Sequence, residues 1–316
     1  VVPAKGQVGM RVTISGTNLL AGGSLAKVTL AGVTVASTTS SGEKAVIVRA
    51  AAGKAGTGAV VLTSTTGATI TKAGGFTYQD ASEITSIKPP SGQLGTKVTI
   101  AGKLLLGKDA GKADKVVSVK LGSTAADITS SSQTAVVVTV KTANAGKVDV
   151  VLEATSGATT TETKGFTYTA TGVIKTVTPN VGQLGTLVVI NGERLLGGGS
   201  KASSVTLVGE TATVKSSKAS EVVVQASVSS KTESGDIVIV SDSGAIVTGS
   251  GLFTYKTPSK ITNIKPAVGQ LGTAVTISGT TLRGSAKSVD SVTLAGVSAQ
   301  FKSESDEAVV VVAQKN

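Results

Sequence analysis

Catalysis at neutral pH usually draws on a histidine, a cysteine or a pair of carboxylates, and this chain of 316 residues has no His and no Cys. The first absence removes the commonest general base and metal ligand. The second removes disulfides and thiolate metal sites while leaving the redox compartment open. What remains is acidic. Asp127, Asp149, Glu153, Asp236 and Asp242 are the candidates for a carboxylate pair of the acid–base or glycosidic kind. Asp149 and Asp236 answer to Ala59 in an earlier copy of the same sequence pattern, so these acids read as solvated strand ends. Calcium would need a clustered Asp-x-Asp or Asp-x-Asn spacing, which does not occur. The abundant Ser and Thr sit in turns without a recurring base beside them. Gly197-Gly198-Gly199-Ser200 lacks the Lys-Ser/Thr and the helix of a phosphate loop and reads as a flexible loop. Lys120 and Lys147, with Asn18, Asn144, Asn191 and Asn263, could form Lys–Asn isopeptide links, but no pairing follows from the sequence. The expectation is no catalytic, cofactor or metal site, and therefore no enzyme.

The residues around these candidates repeat. Gly6-Gln7-Val8-Gly9, Gly92-Gln93-Leu94-Gly95, Gly182-Gln183-Leu184-Gly185 and Gly269-Gln270-Leu271-Gly272 are one phrase at spacings of 86, 90 and 87 residues. Each precedes a β-branched run and a glycine, as in Thr96-Lys97-Val98-Thr99-Ile100-Ala101-Gly102. A fixed period of this length marks a tandem array. The expected modules are 1–80, 81–170, 171–257 and 258–316.

The second repeat shows what one module is. Ile84-Thr85-Ser86-Ile87 is a short strand stopped by Pro89-Pro90, and Ser91 to Gly95 is a glycine turn. Thr96 to Ile100, Lys115 to Leu121, Ala135 to Val140 and Val148 to Leu152 read as strands, closed by a turn at Thr155 to Ala158 and by Gly165-Phe166-Thr167-Tyr168. About seven short strands with turn residues every ten or so positions predict a β-sandwich with minimal helix. Phe76 and Tyr78, Phe166 and Tyr168, and Phe253 and Tyr255 all fall in the closing Phe-Thr-Tyr strand, where alternation puts each pair on one face. They read as the bulky part of a small-residue core rather than as an exposed platform for sugars or bases.

The combination of Pro, Gly-x-x-Gly turn, Val-Thr-Ile-x-Gly strand and terminal Phe-Thr-Tyr resembles the TIG (IPT) family. Its motifs are matched at Pro3 to Gly16, Pro89 to Gly102, Pro179 to Gly192 and Pro266 to Gly279. The resemblance implies an all-β chain of tandem immunoglobulin-like sandwiches arranged as a rod. Such modules occur in cell-surface receptors, large surface proteins, starch-acting enzymes and transcription factors, so it implies little about function. Where the family commonly has an aromatic after the Val-Thr-Ile-x-Gly strand, this chain has Leu19-Leu20, Leu104-Leu105, Leu195-Leu196 and Leu282. That weakens the case for a ligand-binding loop.

Both ends are ragged. Val1-Val2-Pro3 matches Ile87-Lys88-Pro89, and the fourth repeat runs to the strand Ala308 to Val312 without a counterpart of the hairpin Asp236 to Val240 and Gly251 to Tyr255. Without a Met at its start, the chain reads as a processed or trimmed piece. A sandwich short of about six inward apolar side chains loses on the order of 10 kcal/mol, comparable to the 5–15 kcal/mol that stabilises a whole domain. The fourth module is therefore expected to be completed from outside, by strands of another subunit or by further chain. Val1, Val2, Ala308, Val309, Val310, Val311 and Val312 are the expected assembly interface.

Thirty basic against 19 acidic residues give a charge of +11, but only four of the basic residues are Arg, the residue preferred for gripping phosphates and bases. The Lys residues are spread through all four repeats and read as a solvated surface, so no nucleic-acid partner is expected. Nor is a membrane span, because the apolar runs are strand-length. No Asn-x-Ser/Thr sequon occurs. The Ser/Thr runs make Thr38, Thr39, Ser131 and Thr160 candidates for O-linked sugars. Together these features predict a non-enzymatic extracellular or cell-surface structural protein, part of a filament or stalk built from copies of itself. The alternative is an adhesin or polysaccharide-binding accessory module with glycan partners.

Overall fold

Alternation gives the strand Lys97–Lys103 its two faces: Val98 and Ile100 are buried, while Lys97, Thr99 and Lys103 face out. Arg11–Ser15, Leu187–Glu193 and Ala274–Thr280 repeat it. Each pairs antiparallel with the apolar strand of its own module, respectively Ala135–Thr139, Ala45–Arg49, Glu221–Gln225 and Ala308–Val312. The computed structural model describes residues 1–108, 114–230 and 232–315. Among these there is no helix, and hence none long and apolar enough to cross a membrane.

The chain divides into two compact units, Val1–Ala170 and Thr171–Asn316. In the first unit, the second module is the clearest sandwich. One sheet has the order Asp127–Ser131, Ala135–Thr139, Lys97–Lys103, Glu83–Lys88. The other runs Ser91–Gly92, Thr159–Tyr168, Gly146–Ala154, Val116–Leu121, Thr124–Ala125. Its closing hairpin, Gly146–Ala154 with Thr159–Tyr168, is longer than the sequence suggests, and its last strand pairs in parallel with Ser91–Gly92. The first module has the same plan, with Lys5–Gly6 laid parallel against Thr77–Tyr78. Val2 exchanges backbone hydrogen bonds with Thr13 at 2.8 Å, so Val1-Val2 is paired within its own module.

In the second unit, the long strand Glu210–Ser217 pairs first with Ala202–Leu207 and then with Glu221–Gln225. It thereby joins both halves of the third module into one eight-stranded sheet. The fourth module has a four-stranded sheet, Lys260–Lys265, Ala274–Thr280, Ala308–Val312 and Gln300–Glu304, and a two-stranded piece, Thr293–Leu294 with Val297–Ser298.

The Gly-Gln-x-Gly phrase is a turn in every module. Its second glycine sits at φ +83°, +85°, +89° and +82° at Gly9, Gly95, Gly185 and Gly272, where a side chain would be strained. The Xaa-Pro bond before it is cis at Pro3, Pro89, Pro179 and Pro266.

Each module has its own hydrophobic cluster. Thirteen, sixteen and eighteen buried residues form the first three, and four form the fourth. Phe76, Phe166 and Phe253 are fully buried, each meeting its Tyr edge-to-face at 5.1–5.3 Å. The aromatic pairs are core, and their burial pushes the three Tyr hydroxyls above their usual range.

Candidate assembly site

The five carboxylates serve structure separately. Asp149 accepts from the Lys164 amide at 2.8 Å, and Asp236 from the Gly251 amide at 3.0 Å. Both tie down the left-handed residue of a bulge in the closing hairpin. Asp127 pairs with Lys141, and Glu153 with Arg49. Asp242 takes the Ser200 amide at 2.9 Å and the Ser200 hydroxyl, which hold its carboxyl below the usual range. That contact also corrects the reading of Gly197 to Ser200 as a flexible loop, since Asp242 anchors its end. Lys120 and Lys147 point to solvent. The loop leucines Leu19, Leu20, Leu105, Leu195 and Leu196 are buried, so the segment after the Val-Thr-Ile-x-Gly strand is held by the core.

Among the hydroxyl candidates, Thr38 and Thr39 lie exposed on the edge strand Ser37–Ser41. Ser131 is half-buried and its hydroxyl accepts from the Val116 amide at 3.3 Å. Thr160 is only 6% exposed and paired with Leu152, so it drops out as a sugar acceptor.

A residue that sequence reading treated only as a turn residue joins modules. The Gln7 side-chain amide donates to the Ser82 hydroxyl, which donates to the Leu104 carbonyl at 2.7 Å. Gln183 repeats this in the second unit. Its amide donates to the Ser259 hydroxyl at 2.8 Å, its carbonyl accepts from the Ser259 amide at 2.6 Å, and the Ser259 hydroxyl donates to the Thr281 carbonyl. Each Gln thus fixes the first residues of the following module. The signal was present, because a turn needs the glycines but gives no reason for a Gln to recur at the same place. In the first unit the link is reinforced by the Gln79 amide, which donates to the Gly6 carbonyl at 2.7 Å, and by an Asp80–Lys108 ion pair at 2.7 Å.

The fourth module leaves several apolar side chains uncovered, among them Ile261, Ile264, Val268 and Leu271. Ile84 and Ile174 are 8% and 9% exposed, each in its module's opening strand. A Cβ at Gly249 of the third module's closing strand would come within 3.1 Å of Ile174. The matching residue of the fourth module, Ile261, is 57% exposed, and Ile264 is 42%. Ile261, Ile264, Ile277, Leu294 and Val309 line an open cleft of about 440 Å³. Pro266, Val268, Leu271 and Val275 line a second cleft of about 510 Å³, which shares Ile264 and Leu294 with the first. Val268-Gly269 corresponds to the segments that pair with the closing strand in the other three modules, yet Val268 is 85% exposed.

The expected interface strand Ala308–Val312 needs correction in detail. It is a central strand, paired on one side with Ala274–Thr280 and on the other with Gln300–Glu304, so its backbone has no free edge. Val309 and Val311 point into the module core, and Ala308, Val310 and Val312 are half-buried on the other face. Along residues 289–294 the Val289 amide donates to the Glu304 carboxylate at 2.7 Å, the Val292 carbonyl accepts from the Ala299 amide at 2.9 Å, and Thr293–Leu294 pairs with Val297–Ser298. Val1 packs against the first module's core, while Val2 is 71% exposed.

The IPT/TIG domain pattern matches residues 1–78, 82–168, 173–255 and 258–316. The chain belongs to the IPT/TIG domain family. Its TIG modules are also similar to parts of solved structures. One is the full extracellular region of plexin A4, at 14% identity and a TM-score of 0.43 over 98% of this chain and 33% of that one. Another is a surface glycan-binding protein from the Bacteroides ovatus mixed-linkage glucan utilization locus, in complex with a heptasaccharide. There the identity is 16% and the TM-score 0.26, over 82% of this chain and 66% of that one. A third, from Prevotella bryantii, is also a surface glycan-binding protein, at 17% identity and a TM-score of 0.25 over 55% and 40%. The TIG chain thus spans about a third of the plexin region's length. A comparison with curated proteins finds no match.

Proposed function

We propose that this chain is a non-enzymatic extracellular or cell-surface structural protein, a segment of a filament or stalk. Its fourth TIG module, beginning near residue 258, is completed by β-strands from a neighbouring subunit or a further stretch of polypeptide. The observation that carries this reading is Ile261. It occupies the place where Ile84 and Ile174 are buried, and is 57% exposed. Exposure of Ile261, Ile264 and Val268 together with an unpaired segment beside them is a template for strand addition. A head-to-tail contact that does not close on itself extends into a filament. The absence of His and Cys from the sequence and the separate structural use of each candidate acid support a non-enzymatic role. For the alternative of a glycan-binding module, the six aromatic side chains of the Phe-Thr-Tyr strands offer no stacking surface, since all are buried.

Sedimentation and electron microscopy across a range of concentrations test the proposal. Concentration-dependent end-to-end assembly, weakened by Ile261→Asp, is expected. Compact monomers at every concentration would contradict it.

A further inference from the structure

Charge is unevenly shared along the chain. The first module, residues 1–80, has seven basic and two acidic residues, a net of +5, while the third, 171–257, has seven and six, a net of +1. Neither acid of the first module offsets one of that module's cations. Glu43 accepts the Leu20 and Gly22 amides at 3.0 and 3.1 Å, and Asp80 pairs with Lys108 of the second module at 2.7 Å. Two of the cations stand side by side. Arg11 and Arg49 are directly opposite in the antiparallel pair of Arg11–Ser15 with Ala45–Arg49, and both lie on the face turned away from the core, since Val12 and Val48 are buried. Like charges placed opposite each other destabilise a sheet. The fold does not require this pair, because the matching positions hold Lys97 with Thr139 and Leu187 with Gln225.

The two guanidiniums are only partly used. Arg49 donates to the Gly9 carbonyl at 3.1 Å and to the Glu153 carboxylate at 3.2 Å, both through Nη1, and its side chain is 42% exposed. Among the described residues its Nη2 makes no hydrogen bond, and the exposed Arg11 side chain makes none. Beside them, Ser37 pairs with Arg49, and Thr13 and Ser40 pair with Ile47 in the next row. The two rows therefore offer guanidinium N–H groups flanked by hydroxyls. Among the described residues Glu153 is the one carboxylate bonded to them. The second module differs at this place, where Lys97 is followed across the sheet by Thr139 and Asp127, and Asp127 pairs with Lys141.

From these features we infer that the outer face of the first module's three-stranded sheet binds an acidic polysaccharide, one whose sugars carry carboxylates. The inference goes beyond the stalk reading and does not depend on how the fourth module is completed. A planar carboxylate accepts two parallel N–H bonds from a guanidinium fork, and one set between Arg11 and Arg49 relieves their repulsion. The hydroxyls of Thr13, Ser37 and Ser40 are placed to exchange hydrogen bonds with neutral sugar hydroxyls. This recognition needs no aromatic platform, which suits a chain whose Phe-Thr-Tyr rings are all buried. Single-stranded nucleic acid fits less well, because its bases are held by stacking on aromatic side chains and this face has none.

The test is binding of the full chain to an oligogalacturonate, with a neutral glucan of the same length, a sulfated dextran and single-stranded DNA as comparisons. Oligogalacturonate is expected to bind more weakly as salt rises and to slow amide exchange at Arg11–Ser15 and Ala45–Arg49. Arg11→Gln, at an exposed position, is expected to weaken binding about tenfold through the loss of a charged hydrogen-bonded pair. Arg11→Lys keeps the charge without the fork and is expected to recover only part of that loss. Lys27→Gln removes the same charge from the module's other sheet and is expected to change binding less than about twofold. Equal losses from Arg11→Gln and Lys27→Gln would mean a general attraction for polyanions and overturn the inference. So would neutral glucan, DNA or sulfated dextran binding as tightly as oligogalacturonate, or oligogalacturonate not binding. None of these results bears on the completion of the fourth module, so the two proposals fail separately.

Discussion

Gln183 and Tyr255 show how much one position decides here. Gln183 makes side-chain bonds to the amide and the hydroxyl of Ser259, 76 residues away, and that hydroxyl is itself tied to Thr281. Removing it breaks a half-buried cluster that water partly replaces. Gln183→Ala is therefore expected to cost about 0.5–1.5 kcal/mol, localised to the junction. Exchange of the Ser259 amide should accelerate, while that of Leu187–Glu193 stays unchanged. The tyrosines set the alkaline limit. Burial raises the folded pKa of Tyr78, Tyr168 and Tyr255 above the value near 10 of an exposed tyrosine. Their contribution is full below that value and is lost as pH rises through the folded pKa values. Stability should be level from neutral pH to about pH 10 and then fall, with tyrosinate absorbance appearing together with loss of β circular dichroism. Tyrosinate forming well before unfolding would contradict the burial.

Strands were the most legible part of the sequence, because alternation reports directly which side chains turn inward. Val98 and Ile100, or Val309 and Val311, can be assigned to a core without coordinates. What alternation cannot report is a strand's neighbours. Ala308–Val312 reads as an interface in the sequence, whereas it is flanked on both sides by strands of its own module. The same limit hid the Gln–Ser links and the Asp149 and Asp236 contacts, whose partners are remote in sequence, and it left the anchoring of Ser200 by Asp242 unseen. The opening strands allow a direct test of core completion. Ile84→Ala removes a buried side chain and should cost about 2–5 kcal/mol. Ile261→Ala, at the matching place, should cost under about 0.5 kcal/mol in the dilute chain, as an exposed substitution does. Equal losses in thermal denaturation would mean that Ile261 is already covered.

Across the whole molecule, the first three modules each bury a large core and the fourth a small one. Thirteen to eighteen buried residues stand against four, on which six further apolar side chains pack half-buried. On the proposed reading, the fourth module receives strands from outside it. Amide exchange on the dilute full chain tests this most directly. The account predicts that Ala274–Thr280 exchanges roughly a hundredfold faster than Lys97–Lys103, and that the difference disappears when the chain assembles. Equally slow exchange of the two strands in a dilute monomer would contradict it.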